Sequence, residues 1–439
     1  MKICAYVQDE YAKQVYKTEC FDVRAWIGLK VIIDVLERNG YTIEYAGKVN
    51  AHLYDIILVS ITSDCDWWQF IAERLTWRKG NYKVIIGGAG VLNIRPFLDM
   101  ADIFIFGRGE DLITQVIKTH ETNNRFEHSS VCYADTFNPD GQYCICQVNK
   151  SYPHKIKLTN ENDFTEGEIG CPHKCLFCGY TWHRKYIGGG EFKSGSGIFS
   201  KNNREYSMLD MYKNQKIDYS HIRITAIDGI SEKQRLKVKK PITREVMHWF
   251  YKSLCDNMDK PHQIKIYNIV GYPDETEDDF RQFIDDIKAI DGKYTFNNKQ
   301  WAIVLHCTPF RAMPATPAAC WAMSYKNYRG KIAQLMGQNR LKGNLLYQGN
   351  RIWAVESMGT DALPAVALSA ICHRGTEKDS QNIKRLAVTN KFWNANAFEK
   401  QKVLEANFDL KTLFGKFDRH TLPTKYLRTY SDYGIKEKI

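Results

Sequence analysis

The feature that most narrows the fold is a series of short apolar runs, separated by amphipathic stretches, in the first 120 residues. Asp55–Ser60 reads DIILVS, and Tyr82–Ile86 and Asp102–Phe106 have the same character. A strand that is apolar on both faces must be covered on both, as in a parallel sheet with helices above and below. Between the runs, Arg24–Asn39 places Trp26, Ile27, Val31, Val35 and Leu36 at helical spacing and stops at Asn39-Gly40, a good C-terminal cap. Asp66–Arg78 repeats the pattern with Trp67, Phe70, Ile71 and Leu75, and Asp111–His120 reads as a third helix. Lys2–Val7 and Tyr41–Ala46 read as further strands. The alternation predicts an α/β fold that begins with a doubly wound parallel sheet. Ligands of such sheets sit at the carboxyl ends of the strands. The loops there are Ser60–Asp66, Gly87–Gly90 and Gly107–Glu110.

The chain has 439 residues, too many for one ordinary core. Residues 1–125 form the first unit. Residues 126–165 are a connector in which Val131–Tyr133 and Tyr143–Val148 flank Asn138-Pro139-Asp140-Gly141, a hairpin signal. Cys144 and Cys146 lie two apart there, a conceivable metal pair but more simply small residues of a strand. Residues 166–325 again mix strands (His221–Ala226, Ile264–Val270, Trp301–Cys307) with helices (Thr243–Asn257, Glu277–Ile290). Residues 326–439 form a mostly helical C-terminal region with a basic tail. No apolar run is long enough to span a membrane, and the start is too quickly polar for a secretory signal. Thirteen scattered cysteines do not suggest a disulfide framework, which favours a reducing cytoplasm, that of a host if the chain is viral. A formal charge of +11 and 13% aromatic residues favour an anionic partner such as a nucleotide or nucleic acid.

The chemistry is concentrated in Gly170-Cys171-Pro172-His173-Lys174-Cys175-Leu176-Phe177-Cys178. Three thiolates at C-x3-C-x2-C on one loop can each take one iron of a cubane cluster and leave a fourth iron open. A zinc site would want a fourth ligand, and neither His173 nor His183 has convincing spacing for it.

The segment Glu168–Tyr180 (EIGCPHKCLFCGY) resembles the cluster loop of the radical S-adenosylmethionine (SAM) superfamily. Thr225–Lys240 (TAIDGISEKQRLKVKK), Ile269–Phe280 (IVGYPDETEDDF) and Thr308–Pro317 (TPFRAMPATP) are similar to later segments of that family, in the same order; the last is shared with tRNA methylthiotransferases. The resemblance implies a partial (β/α)6 barrel and a 4Fe–4S cluster on Cys171, Cys175 and Cys178. It further implies SAM contacts from Phe177, Gly179, Tyr180, Asp228, Glu232, Arg235, Ile269 and Gly271. One electron from a reductant such as flavodoxin or ferredoxin would cleave SAM to a 5′-deoxyadenosyl radical. Glu232 and Arg235 read equally well as a helix-start ion pair. His306, Cys307 and Arg311 flank the exit of one strand as weaker substrate candidates, and Arg374 reads as an anion contact or a surface charge. Gly189-Gly190-Glu191 resembles the family's amine-binding motif by its letters, but follows the cysteines too closely.

Gly87–Glu110 resembles the end of cobalamin-binding-like domains fused to such cores. The D-x-H-x-x-G signature is absent, which argues against bound cobalamin. Three functions follow. The first is radical modification of a nucleobase or nucleotide, one instance being isomerisation of a thymine adduct in viral DNA. The second is a cobalamin-dependent methylase of a natural product or peptide. The third is a non-catalytic iron–sulfur sensor.

Overall fold

The computed structural model describes residues 1–7, 27–157, 163–164, 166, 169–187, 204–205, 207–219, 222–257, 263–293, 301–324, 351–357 and 363–429. The apolar runs are strands of one six-stranded sheet: β1 (Ile3–Tyr6), β2 (Ile43–Ala46), β3 (Ile56–Ser60), β4 (Lys83–Gly87), β5 (Ile103–Ile105) and β6 (Val131–Tyr133). Their order is β2-β1-β3-β4-β5-β6, parallel except for β6, which runs antiparallel to β5. Both faces are covered. Ile3, Ala5, Ile56, Leu58, Ile85 and Ile103 pack under the helices Ile27–Arg38 and Ile113–Glu121. Cys4, Tyr6, Ile57, Val59, Val84, Ile86 and Phe104 pack under the helix Asp64–Arg74, with the Trp67 ring stacked on Phe97 at 3.9 Å. The order reverses between β1 and β3, which opens a crevice at the carboxyl edge.

The hairpin expected across residues 138–141 does not form. Gly141 N–H does donate to the Asn138 carbonyl, closing the turn. But β6 completes the first sheet, and β7 (Tyr143–Cys144) pairs instead with β15 (Leu427–Arg428), whose backbone groups come from far along the chain. Cys146 is buried and bridges to Gly107, so Cys144 and Cys146 serve two different backbone pairings. A minor pair, β8 (Ile156–Lys157) and β9 (Asp163–Phe164), follows.

The second sheet has five parallel strands in chain order: β10 (Arg204–Glu205), β11 (Ile222–Ala226), β12 (Gln263–Val270), β13 (Trp301–Pro309) and β14 (Arg351–Ser357). Ile264, Ile266 and Val270 of β12 and Leu305 and Cys307 of β13 pack against Phe250 and Leu254 of the helix Arg244–Asn257 and Phe280 and Phe283 of the helix Glu277–Lys293. Strand alternation therefore puts Lys265, Tyr267 and Ile269 on the opposite face.

The C-terminal region is helical: Leu363–Arg374, Ser380–Ala387, Asn390–Asn394, Ala397–Asn407 and Leu410–Phe414. It is not a tail. Val366, Ala370, Ile383, Leu404 and Leu413 share a core with Trp67, Phe70 and the first sheet. Arg374, read from sequence as an anion contact or surface charge, is buried and donates to the carbonyls of Leu413, Gly415, Ala319 and Trp321. It clamps backbone, because the carbonyls of two chain segments, one at Ala319 and Trp321 and one at Leu413 and Gly415, converge there. Among the described residues, no helix is long and apolar enough to cross a membrane.

Candidate functional site

The loop that carries the three cysteines is built by local hydrogen bonding. Gly170 has φ +72° and a Cβ there would lie 2.9 Å from the Arg184 carbonyl, so only glycine fits. The Thr181 hydroxyl lies within hydrogen-bond reach of the carbonyls of Cys171 and His173 and shares its one proton between them, and Trp182 Nε1 donates to the Cys175 carbonyl at 2.8 Å. Cys178 precedes the single turn Gly179–Trp182, and Gly179 is packed under the His183 ring, where a Cβ would meet Cε1 at 2.7 Å. His183 is buried and bonds the Pro314 carbonyl at 2.8 Å. Burial lowers its pKa to about 4, so it is a neutral strut.

Four segments distant in sequence meet at this loop. Leu176 N–H donates to the Val238 carbonyl (3.0 Å), and its carbonyl accepts from Ala318 (3.1 Å). Cys175 Sγ lies 3.9 Å from the Lys239 carbonyl. Phe177 is 6.4 Å from Tyr272, and both Phe177 and Ile269 pack on the core that holds Tyr272 and Phe310. Tyr272 OH donates to the Asp228 carbonyl (2.9 Å), and Gly271 N–H donates to Glu275 (2.9 Å). Asp228, Gly271 and Phe310 follow the ends of β11, β12 and β13, so the assembly stands at the carboxyl edge of the second sheet.

Cys171, Cys175 and Cys178 are all free thiols. Burial raises all three, Cys175 to about 12. Backbone N–H groups oppose this at two of them: His173 acts on Cys171, and Thr181 and Tyr180 act on Cys178. The Lys240 ammonium opposes it at all three. Lys240 is itself paired with Asp228 at 2.6 Å, which sets one carboxylate and one ammonium beside the thiols. Among the described residues, no three His, Cys, Asp or Glu side chains are grouped to hold one metal ion. Thiolates that each take a different iron of a cluster need not converge on one point, and three free sulfurs on one loop are the donor set a cluster with an open iron requires.

The remaining sequence candidates fall elsewhere. Glu232 accepts from Arg244 N–H (2.6 Å) at the start of the helix Arg244–Asn257. Arg235 is wholly buried, with its guanidinium on the carbonyls of Ile242, Gly229 and Ile230. Both shape the loop around Asp228. Tyr180 turns toward the crevice of the first sheet, where Arg184 lies over its ring at 4.6 Å. Arg311 pairs with Asp64 (3.0 Å), tying β13 to the first unit, and Cys307 is buried in the second core. Gly189, Gly190 and Glu191 lie outside the described residues. Sequence reading passed over Lys240 as a site residue, Tyr272, and the polar face Lys265/Tyr267, where the Tyr267 ring meets His306 edge-on at 5.0 Å. The alternation I-K-I-Y along β12 carried that last signal. No protein-family model matches the chain, and no curated protein does.

Proposed function

We propose that the chain is a radical SAM enzyme that modifies a nucleobase or nucleotide. The observation that carries the reading is the meeting of three free thiols of one loop with the Asp228–Lys240 pair, Phe177 and Tyr272 at the carboxyl edge of a parallel sheet. In this reading the second sheet is the partial (β/α)6 barrel and the first is the cobalamin-binding-like unit. Cys171, Cys175 and Cys178 hold a 4Fe–4S cluster, which with SAM supplies reductive cleavage of a carbon–sulfur bond to a 5′-deoxyadenosyl radical; the electron comes from an external reductant such as flavodoxin or ferredoxin.

The chain's own residues do the rest. Lys240 and the backbone N–H groups favour the thiolates that the cluster needs. Asp228 and Lys240 offer a carboxylate and an ammonium to the amino-acid end of SAM. Phe177, Ile269 and Tyr272 form an apolar wall that keeps water from a reactive intermediate. Lys265 and Tyr267, on the face of β12 turned from the helices, would meet substrate. The charge of +11 supports an anionic substrate.

The test is anaerobic reconstitution with iron and sulfide, then SAM and dithionite, with 5′-deoxyadenosine as the readout. Wild type is expected to form it and Cys175→Ala to form none. A fully loaded cluster that leaves SAM intact, with nucleotide substrates present, would overturn the proposal.

A further inference from the structure

A cavity of about 250 Å³ lies at the carboxyl ends of β3, β4 and β5, between the first sheet and the turn that follows the cysteines. Its base is apolar, with Leu58, Ile85 and Ile105, and Tyr180 and Arg184 close it from the side of the loop. Two arginines border it and their situations differ. Arg108 is held by Glu166 on two nitrogens (2.6 and 2.8 Å) and by Glu110. Arg184 has no hydrogen bond or ion pair to any described residue; its contact is the Tyr180 ring. Arg184 is half-buried, and Glu166, which also lines the cavity, acts on it only through space because both of its oxygens are engaged by Arg108. A guanidinium in such a place without a direct partner is less favourable than a paired one, and burial lowers its pKa.

Gly28 lines the cavity from the first turn of the helix Ile27–Arg38, and a Cβ there would meet nothing within 4 Å among the described residues. Glycine weakens a helix, and no described residue crowds this one, so a larger side chain here would narrow the cavity.

We propose that this cavity binds a small organic anion, an apolar body with one carboxylate or phosphate end, and that Arg184 is the counter-ion. The volume is below the ~300–1,000 Å³ of sites for drug-sized ligands, which sets the size class. The site goes beyond the radical reading and stands without it, since none of the three cysteines lines the cavity.

The experiment is calorimetric titration of the iron-free, full-length chain with four probes: thymidine 5′-monophosphate, 3-phenylpropionate, thymidine and inorganic phosphate. One or both amphiphilic anions are expected to bind at least tenfold more tightly than thymidine or phosphate, and the pair separates a phosphate end from a carboxylate end. Arg184→Gln is expected to weaken that binding tenfold or more. Gly28→Leu, whose Cβ would meet no described residue, is expected to abolish it without lowering the melting temperature, and this variant carries the test if Arg184→Gln folds poorly. No binding of either anion at millimolar concentration, equal binding by wild type and both variants, or tighter binding of hydroxocobalamin than of either anion overturns the proposal. Because the titration needs no iron, its failure and a failure of cluster assembly are separate results.

Discussion

Replacing His373 should flatten the acid side of the stability curve. His373 ends the helix Leu363–Arg374, is buried, and lies 3.4 Å from the Ser369 hydroxyl. Burial lowers its pKa from 6.5 to about 4; Arg311 and Arg374 push the same way, and Asp64 opposes them. The unfolded chain takes up its proton near the ordinary value and the folded chain only near the lower one. In that window the unfolded state binds more protons, so stability rises with pH. The contribution is complete above the ordinary value and is lost as pH falls toward about 4. At ~1.36 kcal/mol per pH unit, the interval corresponds to roughly 3 kcal/mol. That is a substantial part of the ~5–15 kcal/mol that holds a typical domain. Urea unfolding of wild type and His373→Gln between pH 7 and pH 4 measures it. The variant cannot titrate there, so wild type should lose about 3 kcal/mol more than the variant over the range. Groups that do not interact with His373 contribute equally to both curves and cancel. Curves that stay parallel within about 0.5 kcal/mol would refute the reasoning.

Tyr426→Phe removes a fully buried hydroxyl that donates to the Leu92 carbonyl and accepts from Ile94 N–H; it should cost about 1–3 kcal/mol in urea unfolding. Arg374→Ala strands four carbonyls and should cost about 3–5 kcal/mol, read as a lower urea midpoint. Lys240→Met removes the charge that favours all three thiolates, so iodoacetamide labelling of Cys171 in the iron-free protein should slow and its pH midpoint should rise. In the same assay Cys175, pushed up to about 12 and buried, should label more slowly than Cys171 in wild type.

The first sheet was readable because its strands are apolar on both faces; DIILVS could be little else. Ends of helices shifted by a few residues, as at Asp64–Arg74, where a capping box of Ser63 and Asp66 starts the helix two residues before the expected Asp66. The pairing of β7 with β15 was illegible: two-residue strands leave no periodicity, and their partners are nearly 300 positions apart. The cysteine loop stood out by spacing alone. The segment around Lys240 was marked only by its resemblance to a family segment, and only its folding against the loop reveals that one ammonium serves three thiols. Arg235 and Arg374 were misleading for one reason. A lone arginine in sequence suggests an anion, whereas each here satisfies carbonyls at a loop closure.

The C-terminal helices and Tyr426 finish the core begun by β1. On the ribosome this sets a delay. The first sheet is complete once Tyr133 has emerged, yet Tyr426 follows about 290 residues later, on the order of 15–60 s at ~5–20 residues per second. Until Trp393 follows, about 260 residues after Tyr133, Trp68 and the outer side of its helix lack the ring that will pack on them 5.8 Å away. Nascent chains of this protein therefore present an adhesive, aromatic face for most of their synthesis, and their yield in a cell should depend on whatever shields it during elongation.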